Sequence, residues 1–297
     1  MRLHANASGG LSFINTIFVN SNTVEFGNLG SGTISVSGVI QGGGQVAKVG
    51  NNILTFSGQN TYTGTTTVTA GTLQLNRIGG STLPAMNNVI VGTSATLRIS
   101  QNQTLNNITL NGGTLTVDSG VELIVKELVS TGTSTITGTG VVKLTDFLTV
   151  SSGTFTTNDN LILRSTSDGT ARVTQVRGSI SGLVTVERYL TGRRAFRFLT
   201  PSVTTTTSIF TNWQNAGLNT AGIGTHITGS TTGANGFDAT TTGNPSMFTY
   251  NAQATGTTTG FTAVANTNVT TLTAGAGYRI LVRGDRNVDL TAASANN

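Results

Sequence analysis

A pair made of Thr or Asn followed by an apolar residue returns along the first half of this chain: Thr33-Ile34, Asn52-Ile53, Thr72-Leu73, Thr96-Leu97, Thr114-Leu115, Thr135-Ile136 and Thr154-Phe155. The steps are roughly 19, 20, 24, 18, 21 and 19 residues. A period near twenty containing short strands is the mark of a parallel β-helix, in which each period is one coil that cannot bury its apolar face without neighbours. The best copies read SGTISV, AGTLQL, SATLRI, GGTLTV and SGTFTT. Thr, Leu, Val and Ile alternate in them with the period of a strand that has one buried face, and β-branched side chains suit such a surface.

The register follows from that alternation. Val68, Leu73, Leu75, Leu97, Ile99, Leu115 and Val117 are expected to point inward in apolar columns, with outward Thr forming a polar β-face. One column is expected to stack Leu73, Leu97, Leu115, Ile136 and Phe155. The handedness expected for a parallel crossover of this kind is right-handed. The fold class is therefore all-β, with a right-handed parallel β-helix stalk over residues 1–175.

Composition supports strands and turns. The chain has 39 Gly in 297 residues and only 9% charged residues, and Thr supplies roughly one residue in five. With no cysteine, a disulfide framework and a thiolate metal site are both ruled out. The net charge of +5 comes from few charges, without the dense basic stripe of a nucleic-acid binder, so no nucleic-acid partner is expected. No apolar run approaches the length of a membrane span, and MRLHANASGG shows no signal-peptide pattern. Strand-like patterns at both ends, LSFINTIFV and GYRILVRGDRNVDL, read as a segment cut from a longer protein.

The stretch GNNILTFSGQNTYTGTTTVTAGTLQLN, Gly50 to Asn76, resembles the passenger-associated repeat of bacterial autotransporters. The likeness is carried by Asn60-Thr61-Tyr62-Thr63-Gly64 and Ala70-Gly71-Thr72-Leu73, and departs at Asn52, where that family usually has Gly. The resemblance implies a β-helical stalk of an exported surface protein, located at the cell surface or outside the cell, and brings no catalytic residue.

Near residue 175 the texture changes. Arg172, Arg177, Glu187, Arg188, Arg193, Arg194 and Arg197 arrive together with Tyr189, Phe196 and Phe198. GLVTVERYL, RAFRFLTPSV, PSMFTYN and GYRILVRGD alternate like strands of a sandwich, so residues 176–297 read as a β-sandwich-like domain truncated at its C-terminus. VTVERYLTGRRAFRFLTPSV, FTNWQNAG, GIGTHITG and GYRILVRGDR together resemble a β-rich module of large secreted proteins of Bacteroidota. That resemblance implies an exported protein and no defined chemistry.

Groups for catalysis are few. His4 and His226 are the two histidines, and neither has a base or carboxylate partner at motif spacing. β-Helices host polysaccharide lyases and glycosidases, which work through paired carboxylates; Asp146, Asp159 and Asp168 fall in successive coils and could approach one another, but TNDN and TSDGT are ordinary turn chemistry. Neither a cofactor nor a metal is implied. Arg193, Arg194 and Arg197 are the candidate contacts for an anion, and Trp213 the candidate for stacking on sugar. The bland reading makes the arginines a solvated face and Trp213 part of a core. Ice binding would need Thr-x-Thr in register on successive coils, and Thr96-Leu97-Arg98 interrupts Thr67/Thr69, Thr114/Thr116 and Thr135/Thr137. The expected function is a structural or adhesive segment of an exported surface protein that meets surface polysaccharide or a host surface. The alternative is a carbohydrate-active enzyme or carbohydrate-binding module on the same scaffold.

Overall fold

The computed structural model describes residues 2–5, 9–28, 32–191, 194–220, 222–255 and 260–283. The chain divides into two compact units, Met1–Tyr189 and Leu190–Asn297.

The first unit is a parallel β-solenoid. Its two long sheets hold 11 and 9 strands among the described residues, and consecutive neighbours in each sheet come from successive coils. Thr114–Val117 shows how local sequence makes a rung: its residues alternate between partly exposed and buried, with Leu115 and Val117 inside. Gly71 is left-handed, with φ +66, and a Cβ there would lie 2.5 Å from the Asn52 carbonyl oxygen. Only glycine turns the chain at that point without pushing the previous coil away.

All seven expected inward residues are buried. In the second sheet, Leu11, Ile34, Leu54, Leu73, Leu97, Leu115 and Ile136 stack coil on coil in one column. Phe155 departs from the expected column: it pairs with Ser134, two residues before Ile136, and then with Ile180. A slip of two residues preserves the inward face, because the side-chain period is two. It also sets a large ring beside the small Ser134, whose Oγ donates to the Leu110 carbonyl at 3.1 Å and accepts from the Gly112 amide at 3.2 Å.

The parallel ladders run past residue 176. Ser179–Ser181 pairs with Thr154–Thr156, and Val184–Val186 pairs with Leu161–Leu163. Arg172, Arg177 and Arg188 therefore fall in the solenoid unit, with Arg194 and Arg197 beyond it, and the segment read as a first sandwich strand is one of the solenoid's rungs. Val184 and Val186 explain this, since they continue the apolar alternation and pack on the solenoid core.

The second unit contains one four-stranded antiparallel sheet, ordered Ala195–Leu199, Tyr278–Val282, Met247–Tyr250 and Phe261–Ala263. Met247, Tyr278, Ile280 and Val282 face a small core with Ile209, Ile227 and Leu272. A short helix, Ile209–Asn212, is capped by the Ser208 hydroxyl, which accepts from the Thr211 amide. A sandwich needs a second sheet packed face to face. The described residues add only the short parallel pair Thr228–Ser230 and Asp238–Ala239, so they do not form the expected sandwich.

Candidate functional site

The most concentrated polar chemistry lies inside the solenoid. Lys48 occupies an inward position, paired with Phe26 on one side and Val68 on the other, and is fully buried. Its ammonium donates to the carbonyls of Val49 at 3.0 Å, Gly50 at 2.6 Å and Ala70 at 3.1 Å. Three acceptors match its three donors, and the turns of two successive coils are tied together. Desolvation lowers its pKa to about 8.

A second polar group lies along the same coils. The Thr66 hydroxyl donates to Asn87 Oδ1 at 2.8 Å, so the Tyr62 hydroxyl donates to Thr66 across 2.5 Å. Asn87 Nδ2 in turn donates to the Gly64 carbonyl at 2.9 Å. Burial raises the Tyr62 pKa and keeps the phenol protonated for this role. Asn60 Oδ1 accepts from the Ile40 amide at 2.8 Å, and Asn52 Nδ2 donates to the Gly32 carbonyl at 3.1 Å. These groups are closed to solvent and bind coil to coil.

Lys48 gives a pH-dependent stability with a definite sign. Its folded pKa lies below the unfolded value, so between about pH 8 and 10.5 the unfolded chain holds more protons and stability rises with pH. Allowing for solvent screening, we expect a rise on the order of 1 kcal/mol in chemical denaturation across that window, absent in Lys48→Met. An equal rise in the variant would assign the effect to other groups.

The outer faces of the solenoid carry carboxylates that are already engaged. Glu25 pairs with Arg2 at 2.8 Å, Glu187 with Arg164 at 3.7 Å, and Glu122 with Lys143. Asp118 accepts from Arg98 at 3.0 Å and Ser100 at 2.7 Å. Desolvation opposes ionisation there, but those two donors hold the carboxyl below its ordinary range. Asp159 lies in a left-handed turn and accepts from the Leu183 amide at 2.6 Å, and the Asp168 amide closes a turn onto Thr166 Oγ1 at 3.2 Å. Asp146 is partly exposed on the long strand Val141–Val150. No group of three His, Cys, Asp or Glu able to hold a metal occurs among the described residues. A shallow depression of about 510 Å³ is lined by Gly79, Gly80, Ser100, Gln101, Asn102, Ser119, Gly120 and Val121, none of them titratable. The outward row Gln74, Arg98, Thr116 and Thr137 confines paired Thr-x-Thr to two adjacent coils.

In the second unit, His226 Nδ1 lies 3.0 Å from Asp238 Oδ2, which also accepts from the Ile227 amide at 3.0 Å. Sequence spacing did not reveal this pair, because a loop returns Asp238 to His226. Nε2 of His226 is buried, with no hydrogen-bond partner among the described residues. Arg193 lies outside the described residues. Arg194 is exposed, whereas Arg197 alternates to the opposite face of its strand and donates to the Thr191 carbonyl and hydroxyl at 3.2 and 2.5 Å. Trp213 packs against the second core and meets Tyr278 edge-on, with ring centroids 5.7 Å apart.

Parallel ladders between successive coils define the first unit as a parallel β-solenoid, and buried polar side chains fasten its coils. Residues 46–75 match the family model described as passenger-associated-transport-repeat. The matched stretch contains Lys48, Asn52, Asn60, Tyr62 and Thr66, and its likeness to a passenger repeat implies an exported or surface protein. No curated protein and no solved structure matches the chain. These comparisons do not support the resemblance of the second unit to the Bacteroidota module. No helix among the described residues is long and apolar enough to cross a membrane.

Proposed function

We propose that this chain is a structural and adhesive segment of a large exported bacterial surface protein. In this reading the solenoid is a passenger stalk, and it presents the second unit to surface polysaccharide or to a host surface. The observation that carries it is the coincidence of the matched repeat, residues 46–75, with the coils joined by Lys48, Asn60, Tyr62 and Thr66. Contacts between adjacent coils suit a stalk, since each coil gains a partner as soon as its neighbour is in place.

The test is topological. In the source bacterium, antibody raised against the second unit is expected to label intact cells, and added protease is expected to remove the label without lysis. Labelling only after permeabilisation would refute the surface assignment. Loss of cell attachment on deleting residues 190–297, with the stalk still displayed, would locate adhesion in the second unit.

A further inference from the structure

The outward face of the second unit's antiparallel sheet carries an unusual set of side chains. Its cross-strand register places Phe198 against Arg279 and Arg279 against Phe248, while Phe196 stands against Leu281 and Tyr250 against Phe261. The Arg279 guanidinium lies 3.8 Å from the Phe196 ring centroid, 4.9 Å from that of Phe261 and 5.8 Å from that of Phe248. Phe198 is 75% exposed and Tyr250 53%. Strand alternation puts Arg194 on the same side as Phe196 and Phe198, and Arg283 on the same side as Arg279.

Continuing the antiparallel register by one step sets Arg194 opposite Arg283. Their repulsion, second to desolvation, lowers the Arg283 pKa. Like charges facing each other across a strand pair destabilise a sheet, so an anion between them would relieve the conflict. No carboxylate of this unit does so: Asp238 is its one acid among the described residues, and it is spent on His226 and the Ile227 amide. A contiguous exposed aromatic patch on a soluble surface marks a binding face.

We propose that this face binds an acidic polysaccharide, with Phe198 and Tyr250 stacking on sugar rings and Arg194, Arg279 and Arg283 pairing with carboxylate or sulfate groups. This deepens the adhesive part of the function proposed above and rests on it for the source of the glycan. Charge complementarity selects an anionic ligand, and the exposed rings select one with apolar C–H faces. Three features argue against single-stranded nucleic acid. Arg279 already covers the Phe196 ring, Phe196 and Phe248 are tilted by 55°, and the described part of this unit has no lysine.

The purified full chain should be titrated with polygalacturonate, neutral dextran and a single-stranded oligonucleotide, at low and high salt. Polygalacturonate should bind in a salt-sensitive way and dextran should not. Phe198→Ser, and the double variant Arg194→Gln with Arg279→Gln, should each weaken binding by about tenfold or more, because exposed anchors and ion pairs carry such contacts. Arg177→Gln, an exposed arginine of the solenoid unit, should bind as the parent does. Circular dichroism of each variant separates lost binding from lost fold. Equal loss in Arg177→Gln, equal retention of dextran, tighter binding of the oligonucleotide, or no binding at all would overturn the proposal. So would a concentration-dependent dimer dissolved by Phe198→Ser, since the face would then join copies of this chain. These outcomes are read on purified protein and are independent of cell-surface labelling, so each proposal can fail without the other.

Discussion

Replacing Leu115 by Asp is expected to abolish cooperative folding of the central coils and to lower solenoid stability by about 4 kcal/mol or more. Leu115 is fully buried between Leu97 and Ile136, in a column that offers no polar partner in line. The substitution removes a packed side chain and also places a carboxyl where charge cannot be solvated. Because each coil is supported by its two neighbours, the damage falls on both sides of the break. Limited proteolysis of Leu115→Asp should cut within the strands flanking position 115, and the denaturation midpoint should fall sharply. A variant with the parent's midpoint and protease resistance would show that the column is not the source of stability. Leu115→Met, close in volume, should change stability by less than about 1.5 kcal/mol.

Tyr62→Ala is the second large effect, expected at about 3–5 kcal/mol. Tyr62 is one of the largest fully buried side chains, and its hydroxyl supplies the proton that Thr66 accepts. Truncation leaves a cavity and removes the one bond that the buried Thr66 hydroxyl accepts, while its bond to Asn87 stays. Tyr62→Phe separates the two contributions: it keeps the volume and loses one hydrogen bond, for about 1–2 kcal/mol. Equal losses in both variants would mean that the polar link, and not the ring, dominates. Both can be measured by denaturant unfolding of the intact chain.

The solenoid was legible in the sequence because its inward residues repeat at two scales, two residues within a strand and about twenty between coils. Leu73, Leu97, Leu115 and Ile136 satisfy both, and they stack as read. Phe155 also satisfies both, 19 residues after Ile136, yet it pairs with Ser134. That register sets its ring beside the small Ser134, and a motif alignment does not carry it. Lys48 was invisible as a core residue because its charge reads as surface, and its three partners are backbone carbonyls supplied by turns. The second unit was read correctly as strands but not as an assembly, since its pairings join segments as distant as Ala195–Leu199 and Tyr278–Val282. Its outward aromatics do leave a signal. AFRFL and MFTY place an aromatic at every second residue, and their Arg279 neighbour depends on register.

The direction of the hydrogen bonds in the solenoid has a mechanical consequence. Every ladder between its coils is parallel and joins rungs of successive coils, so a force drawn on one terminus loads the outermost coil before any other. Such a coil peels away bond by bond, and a period of about twenty residues releases roughly 70 Å of extended chain. Tension would then be relieved in repeated small yields, with the remaining coils still folded. The Lys48 ammonium, which grips carbonyls on two coils at once, is placed to arrest that unravelling partway.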